Sequence, residues 1–258
     1  MRHFSLLSVL TLFSASAVQG IVVPAVDPAN HPHSSATGVK VQGHNETING
    51  VLTYVSKPAH GKFDPKVAVL LLTDVFGIAS IDSPLLADQW ANAGFQVFVP
   101  DYLNGDALPL VGGNLTSWIV NHGEAQTTPP LLAVVDALKK QGIKRIATTG
   151  YCFGVGTTAH PSLLEVPNDF DLAKAQSHVP IEINNAELDT GFTPAVGVTV
   201  DGLMDDGQYK PGYARKQFNG VGHGFAVRVA NLSDPVQVAA KQGAFDTSLA
   251  WIQQHLHH

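Results

Sequence analysis

The chain holds a single cysteine, Cys152, inside Gly150-Tyr151-Cys152-Phe153-Gly154. Glycines around a nucleophile permit a turn too sharp for side chains, and such a turn lifts the central residue clear of the strand that precedes it. A free thiol is only a few per cent ionised at neutral pH, so a working sulfur nucleophile needs a base beside it. Gly220-Val221-Gly222-His223-Gly224-Phe225 offers an imidazole, and Ala186-Glu187-Leu188-Asp189 offers a carboxylate to orient it. Together these residue types support acyl transfer, in which a thiolate attacks a carbonyl carbon and the imidazole moves the protons; no metal or organic cofactor is called for. Each residue also has a plainer role open to it. Cys152 could be a small buried apolar side chain. Asp189 could cap a helix starting near Thr193-Pro194, and His223 could be a solvated loop residue. Asp201, Asp205 and Asp206 are rival carboxylates.

Those residues need a scaffold, and the hydrophobic pattern provides one. Val67 to Thr73 is a continuous apolar run, as expected of a strand covered on both faces. Further strands are expected at 96–100, 145–149, 180–184 and 215–218, with helices at 84–93, 130–141 and 235–256. Alternation of strands and helices implies an α/β fold, a three-layer α/β/α sandwich with a mostly parallel central sheet. Cys152, Asp189 and His223 each follow a strand, where the loops of such sheets converge. The stretch 194–206, PAVGVTVDGLMDD, is rich in glycine and β-branched residues and makes a poor helix.

Composition narrows the setting. With 45% hydrophobic and 14% charged residues the chain can build a core, and its formal charge of −6 gives no general attraction to nucleic acid or anionic membrane. Residues 1–20 have a basic start, an apolar stretch from Phe4 to Phe13 and a small-residue end, the pattern of a cleaved signal peptide. Residues 21–37 read as a flexible arm, and 38–258 as one domain. Sequons at Asn45, Asn114 and Asn231 suit glycosylation on a secretory route. The histidines at 31–33 and 255–258 read as tails rather than a metal site. The expected product is a secreted extracellular monomer acting on a small molecule, with neither nucleic acid nor membrane as partner.

The segments LLTDVFG (71–77), LLADQWANAGFQVFVPDYLNGD (85–106), GYCFG (150–154), AHPSLL (159–164) and GVGHGFAVR (220–228) resemble the fungal dienelactone hydrolase-like proteins, within the α/β-hydrolases. The resemblance runs from about residue 38 to the end. It implies a Cys-Asp-His triad of Cys152, Asp189 and His223. It also implies an oxyanion hole from the backbone amides of Val75 and Phe153, and Asp74 near the resting thiol. The implied activity is hydrolysis of an ester or lactone through a thioester. Arg228 is the one arginine near the site motifs able to bind a substrate carboxylate, since none lies between Arg2 and Arg145.

One departure stands out. Only FGVGTTA separates Cys152 from His160, where the family has a helix and a further strand. Parallel crossovers usually take a dozen residues or more, so both elements are expected to be missing, as from an internal deletion. A non-catalytic protein with a binding or structural role is the alternative.

Overall fold

The computed structural model describes residues 40–60, 63–153, 157–229 and 231–256. The segments read as signal peptide and arm, and the histidines at 31–33, lie outside the described residues. The described residues form two compact units, one up to Thr148 and one from Thr149 onward.

In the first unit β1 (His44–Ile48) and β2 (Val51–Ser56) form an antiparallel hairpin, β2 pairs antiparallel with β4 (Gln96–Pro100), and β3 (Val67–Leu72) pairs parallel with β4. The hairpin turns on Asn49 and Gly50, both at positive φ (48° and 84°). This is the backbone an Asn-Gly pair favours between right-twisted strands. All six residues of β3 are buried, which explains its unbroken apolar run. Helix α1 (Asp82–Asn92) packs on β2 and β4. Its buried Asp88 accepts hydrogen bonds from Tyr54 and Ser56 at 2.7 Å each and from the Gln42 amide at 2.8 Å. Tyr54 and Ser56 are two apart, so they share the face of β2 that α1 covers. A short α2 (Leu115–Trp118) is capped by Asn114, whose side chain accepts from the Ser117 amide. Helix α3 begins at Glu124 and runs to Lys140, six residues before the start read from the sequence, and it contains Pro129 and Pro130. Both prolines lie past the first turn, where each removes an i→i−4 hydrogen bond, yet the helix continues through them to Lys140.

The second unit takes over within β5 (Arg145–Tyr151), whose last residues pair parallel with β6 (Thr157–Ala159). β6 pairs with β7 (Ile181–Ala186), and β7 with β8 (Tyr213–Phe218), all parallel. Helices α4 (Asn168–Gln176), α5 (Pro194–Met204) and α6 (Pro235–Leu256) complete it. Side-chain alternation along β7 shows how the layers form. Asn184 donates to Ser248 of α6 at 3.0 Å, and Ser248 donates to Glu182 at 3.0 Å. Asn185, on the other face, accepts from Arg215 at 2.7 Å, and Arg215 grips Asp201 of α5. Helices α5 and α6 therefore lie on opposite faces of this sheet.

Two expectations are corrected. The strand thought lost after Cys152 is present as β6. It is only three residues long, and its Thr157 to Ala159 pair parallel with Thr149 to Tyr151 at the end of β5. Of the helix in the family's unit nothing is seen among the described residues, where the next helix after Cys152 is α4 at Asn168. The stretch from Pro194 does form a helix. Thr193 caps it by accepting from the Val196 amide, Pro194 occupies its first turn, and Gly197 lets Arg215 pass where a Cβ would meet its guanidinium at 2.8 Å. Among the described residues no helix is long and apolar enough to cross a membrane.

Candidate active site

Cys152 directly follows β5 with φ at +58°, a left-handed conformation that a side chain enters at a cost of about 1 kcal/mol or more. Main-chain bonds hold it there. Its amide donates to Ala159 O at 3.1 Å, and its carbonyl accepts from the Ser162 amide at 2.9 Å. The loop that supplies these contacts is itself pinned, since the His160 amide donates to Asn184 O of β7 at 2.8 Å. His160 (φ 42°) and Leu163 (φ 63°) are also left-handed. The elbow is thus clamped by the His160–Leu163 loop.

Asp189 ends a turn after β7 and is 3% exposed. Its Oδ1 accepts from the amides of Gly191 (2.8 Å) and Phe192 (3.4 Å), while Oδ2 faces His223 Nδ1 at 2.8 Å. The helix cap that Asp189 could have provided is made by Thr193 instead. Burial alone would raise the Asp189 pKa, but the His223 hydrogen bond and the two amides outweigh it and lower the value. Of the rivals, Asp201 is committed to Arg215 and Tyr213, and the Asp205 side chain accepts from the Asp206 amide.

His223 lies in a loop fixed to the turn after β7: the Leu188 amide donates to Val221 O at 2.9 Å, and the Gly220 amide donates to Glu187 at 2.8 Å. Gly224, at φ +87°, turns the chain directly after it. Burial opposes the imidazolium, yet the hydrogen bond to Asp189 and the hydrogen bond and charge of Cys152 overcome it, and the His223 pKa is raised to about 10. Its Nε2 stands 3.5 Å from Ser162 Oγ, which in turn stands 3.5 Å from Cys152 Sγ. One continuous chain of contacts therefore links Cys152, Ser162, His223 and Asp189.

Two residues here went unassigned from the sequence, although both lie in the AHPSLL segment. Ser162 bridges thiol and imidazole. His160 is fully buried, with its ring edge-on to His223 at a centroid distance of 4.8 Å and neither ring nitrogen hydrogen-bonded. Burial, then the His223 charge, push its pKa well below the imidazole range, with Asp189 opposing and Arg228 assisting. His160 is a neutral ring packed under a charged one. No signal short of its neighbours in space marks either residue.

The remaining expected positions fall as follows. Phe153 is buried one residue past the nucleophile. Arg228 is half-buried on the His223 loop, its amide donating to Gly224 O at 2.9 Å. Asp74 and Val75, both buried, follow β3 in the first unit, where Asp74 accepts from the Phe76 amide at 2.9 Å. Asn45, Asn114 and Asn231 are all exposed. Among the described residues no cluster of His, Cys, Asp and Glu could hold a metal.

A model of the dienelactone hydrolase family matches residues 51–256. "Hydrolase pyvD" of Aspergillus violaceofuscus is 28% identical over 84% of this chain and 92% of its own length. "Dienlactone hydrolase 1" of Gibberella moniliformis is also 28% identical, over 80% and 85%. Among solved structures, a dienelactone hydrolase-like promiscuous phosphotriesterase from metagenomic libraries shares the fold. Its TM-score is 0.63 at 17% identity, over 83% of this chain and 98% of that one. A thermophilic esterase of Thermogutta terrifontis gives 0.55 at 10% identity, over 83% and 92%. With the family model spanning most of the chain, this protein belongs to the dienelactone hydrolase family.

Proposed function

We propose that the protein hydrolyses a carboxylic ester or lactone through a thioester on Cys152. The observation that carries the reading is the contact chain Cys152, Ser162, His223, Asp189 at a left-handed elbow, with the last link at 2.8 Å. The Cys152 thiolate attacks the carbonyl carbon, and the carbonyl electron pair moves onto oxygen. The amide of the residue after an elbow nucleophile is an oxyanion donor in this fold, which here is Phe153. Collapse of the tetrahedral intermediate expels the alkoxide, which takes a proton from His223 Nε2. Water, deprotonated by the now neutral His223, then attacks the thioester and releases the acid and the thiolate. Asp189 fixes the Nδ1–H tautomer and supports the imidazolium throughout. A lactone passes through the same steps with its alcohol and acid in one product. The sequence pattern of residues 1–20 and three exposed sequons support a secreted, glycosylated protein.

The test compares wild type with Cys152→Ala on an activated aryl ester, with thioester trapping by intact mass. Loss of turnover and of the acyl adduct in the variant is expected. Equal rates refute the reading and favour the alternative of a binding or structural protein.

A further inference from the structure

We propose that the Ser162 hydroxyl completes the thiol and imidazole pair as a third catalytic group, donating to the Cys152 thiolate and accepting from the His223 imidazolium. The inference rests on the roles just given to Cys152 and His223 and adds a residue that the motif pattern leaves silent. Its Oγ stands 3.5 Å from both Sγ and Nε2, an ordinary length to sulfur and a long one to nitrogen. Such contacts tighten when substrate closes a site.

A hydroxyl has one proton and two lone pairs, so one oxygen between two partners can donate to either and accept from the other. From the neutral state, Cys152 S–H donates to Ser162 Oγ, and Oγ–H donates to His223 Nε2. Moving each proton one step along yields thiolate and imidazolium and leaves Ser162 neutral. In the ion pair the polarity reverses: Nε2–H donates to Oγ, and Oγ–H donates to the sulfur. A donor to the charged form lowers a thiol's proton affinity. Such a donor matters most where no helix end faces the sulfur, and among the described residues no helix follows Cys152 before α4 at Asn168.

The backbone explains why Ser162 can hold this position. Its amide donates to the Cys152 carbonyl at 2.9 Å, so nucleophile and hydroxyl are tied by main chain, and left-handed residues stand two before it and one after it. The other titratable or charged groups around the pair are Asp189 behind His223, the neutral His160 packed against its ring, and Arg228 on the His223 loop. Of these, Asp189 bonds Nδ1, leaving Nε2 to face Ser162 and the Cys152 sulfur.

The experiment reads the thiol directly. Cys152 is the only cysteine, so iodoacetamide alkylation followed by intact mass reports its ionisation without a substrate. Rates are taken across pH for wild type, Ser162→Ala, and the isosteric pair Ser162→Thr and Ser162→Val. Loss of the hydroxyl in Ala and Val is expected to raise the alkylation midpoint by about one pH unit or more, and Thr to restore it. With an ester substrate, kcat is expected to fall about tenfold or more while KM changes little. Midpoints in Ala and Val equal to wild type overturn the proposal. Should Ala fail to fold, the Thr and Val pair decides, since those side chains match in shape and differ in the hydroxyl. The two readings fail separately. A shifted midpoint in a protein that turns over no ester sinks the hydrolase reading alone, and unshifted midpoints in an active ester hydrolase sink the role of Ser162 alone.

Discussion

Glu182 lies in the middle of β7, 1% exposed, with Oε2 accepting from Ser248 and Oε1 without a partner. Two residues along on the same face, Asn184 Oδ1 is also an orphan acceptor. Two buried acceptors facing no donor lack a proton, and a neutral carboxyl supplies one. Burial is the main cause that raises the Glu182 pKa from 4.5 to about 8, against the opposing hydrogen bonds from Ser248 and Asn184 and the charge of Lys216. The unfolded carboxyl ionises near 4.5 and the folded one near 8, so folding takes up a proton between those values. Stability therefore falls as pH rises through that window. At one pK unit per 1.36 kcal/mol, the cost is near zero at pH 4, about 3 kcal/mol at pH 7, and levels off near 5 kcal/mol above pH 8. Glu182→Gln keeps the shape, accepts from Ser248 through its carbonyl, and brings a donor that needs no proton uptake. Urea unfolding at pH 5, 7 and 8.5 is the assay. The variant is expected to match wild type at pH 5 within about 1 kcal/mol, to exceed it by about 2–3 kcal/mol at pH 7, and to widen the gap at pH 8.5. A gap that does not change with pH refutes a neutral Glu182.

Asp189→Asn keeps the size of the side chain but can no longer hold the imidazolium, so kcat on an ester is expected to fall about 10²-fold or more while Tm moves little; an unchanged kcat removes Asp189 from the triad. His223 titrates in the fold at about 10, above its ordinary 6.5, so its paired charge contributes stability that is complete below pH 6.5 and is lost as pH rises through 10. Acylation by an alkyl ester, whose leaving alkoxide needs a proton, is expected to decline near pH 10 in a pH-stat assay. An alkaline limb near pH 7 would show the pair absent. Thr193→Ala removes the cap on α5 and is expected to cost about 1 kcal/mol in denaturant unfolding, whereas no loss would show the helix held by packing alone.

What could be read from the chain followed from the strength of each local pattern. β3 was visible because burial on both faces writes an unbroken apolar run, and α6 because a 22-residue segment bounded by Pro235 admits no strand. Cys152, Asp189 and His223, which the structure links through one chain of contacts, stood out as candidates because glycine turns after strands leave a trace in composition. The β1–β2 hairpin carried its signal in Asn49-Gly50 and could have been found there. β6 could not, since three residues, Thr-Thr-Ala, define no period. α4, NDFDLAKAQ, buries only Phe170 and Ala173 and shows little apolar stripe. α5 went against its own propensities because cap, first-turn proline and the clearance at Gly197 are tertiary facts. Ser162 and His160 were hidden for another reason: their meaning comes from a return of the chain past Cys152 that no spacing rule encodes.

That return also bears on how a short elbow can work. In a full-length crossover the helix after the nucleophile both braces the turn and directs its positive end at the sulfur. Among the described residues no helix follows Cys152 before α4, and on the proposed mechanism the two tasks separate. Bracing passes to three main-chain bonds, from Cys152 to Ala159, from Ser162 to Cys152 and from His160 to β7, all between 2.8 and 3.1 Å. They depend on backbone conformation and tolerate changes of side chain that keep it. On the proposed mechanism electrostatic support falls to side chains, His223 with Asp189 behind it and Ser162 between, and each can be removed by a single substitution. Activation of Cys152 should then be far more sensitive to point changes in residues 160–163 than the fold is. A scan of those four positions by alkylation rate and by Tm distinguishes the cases: large rate losses at near-constant Tm support the separation, and parallel losses in both show that bracing and activation are still one structure.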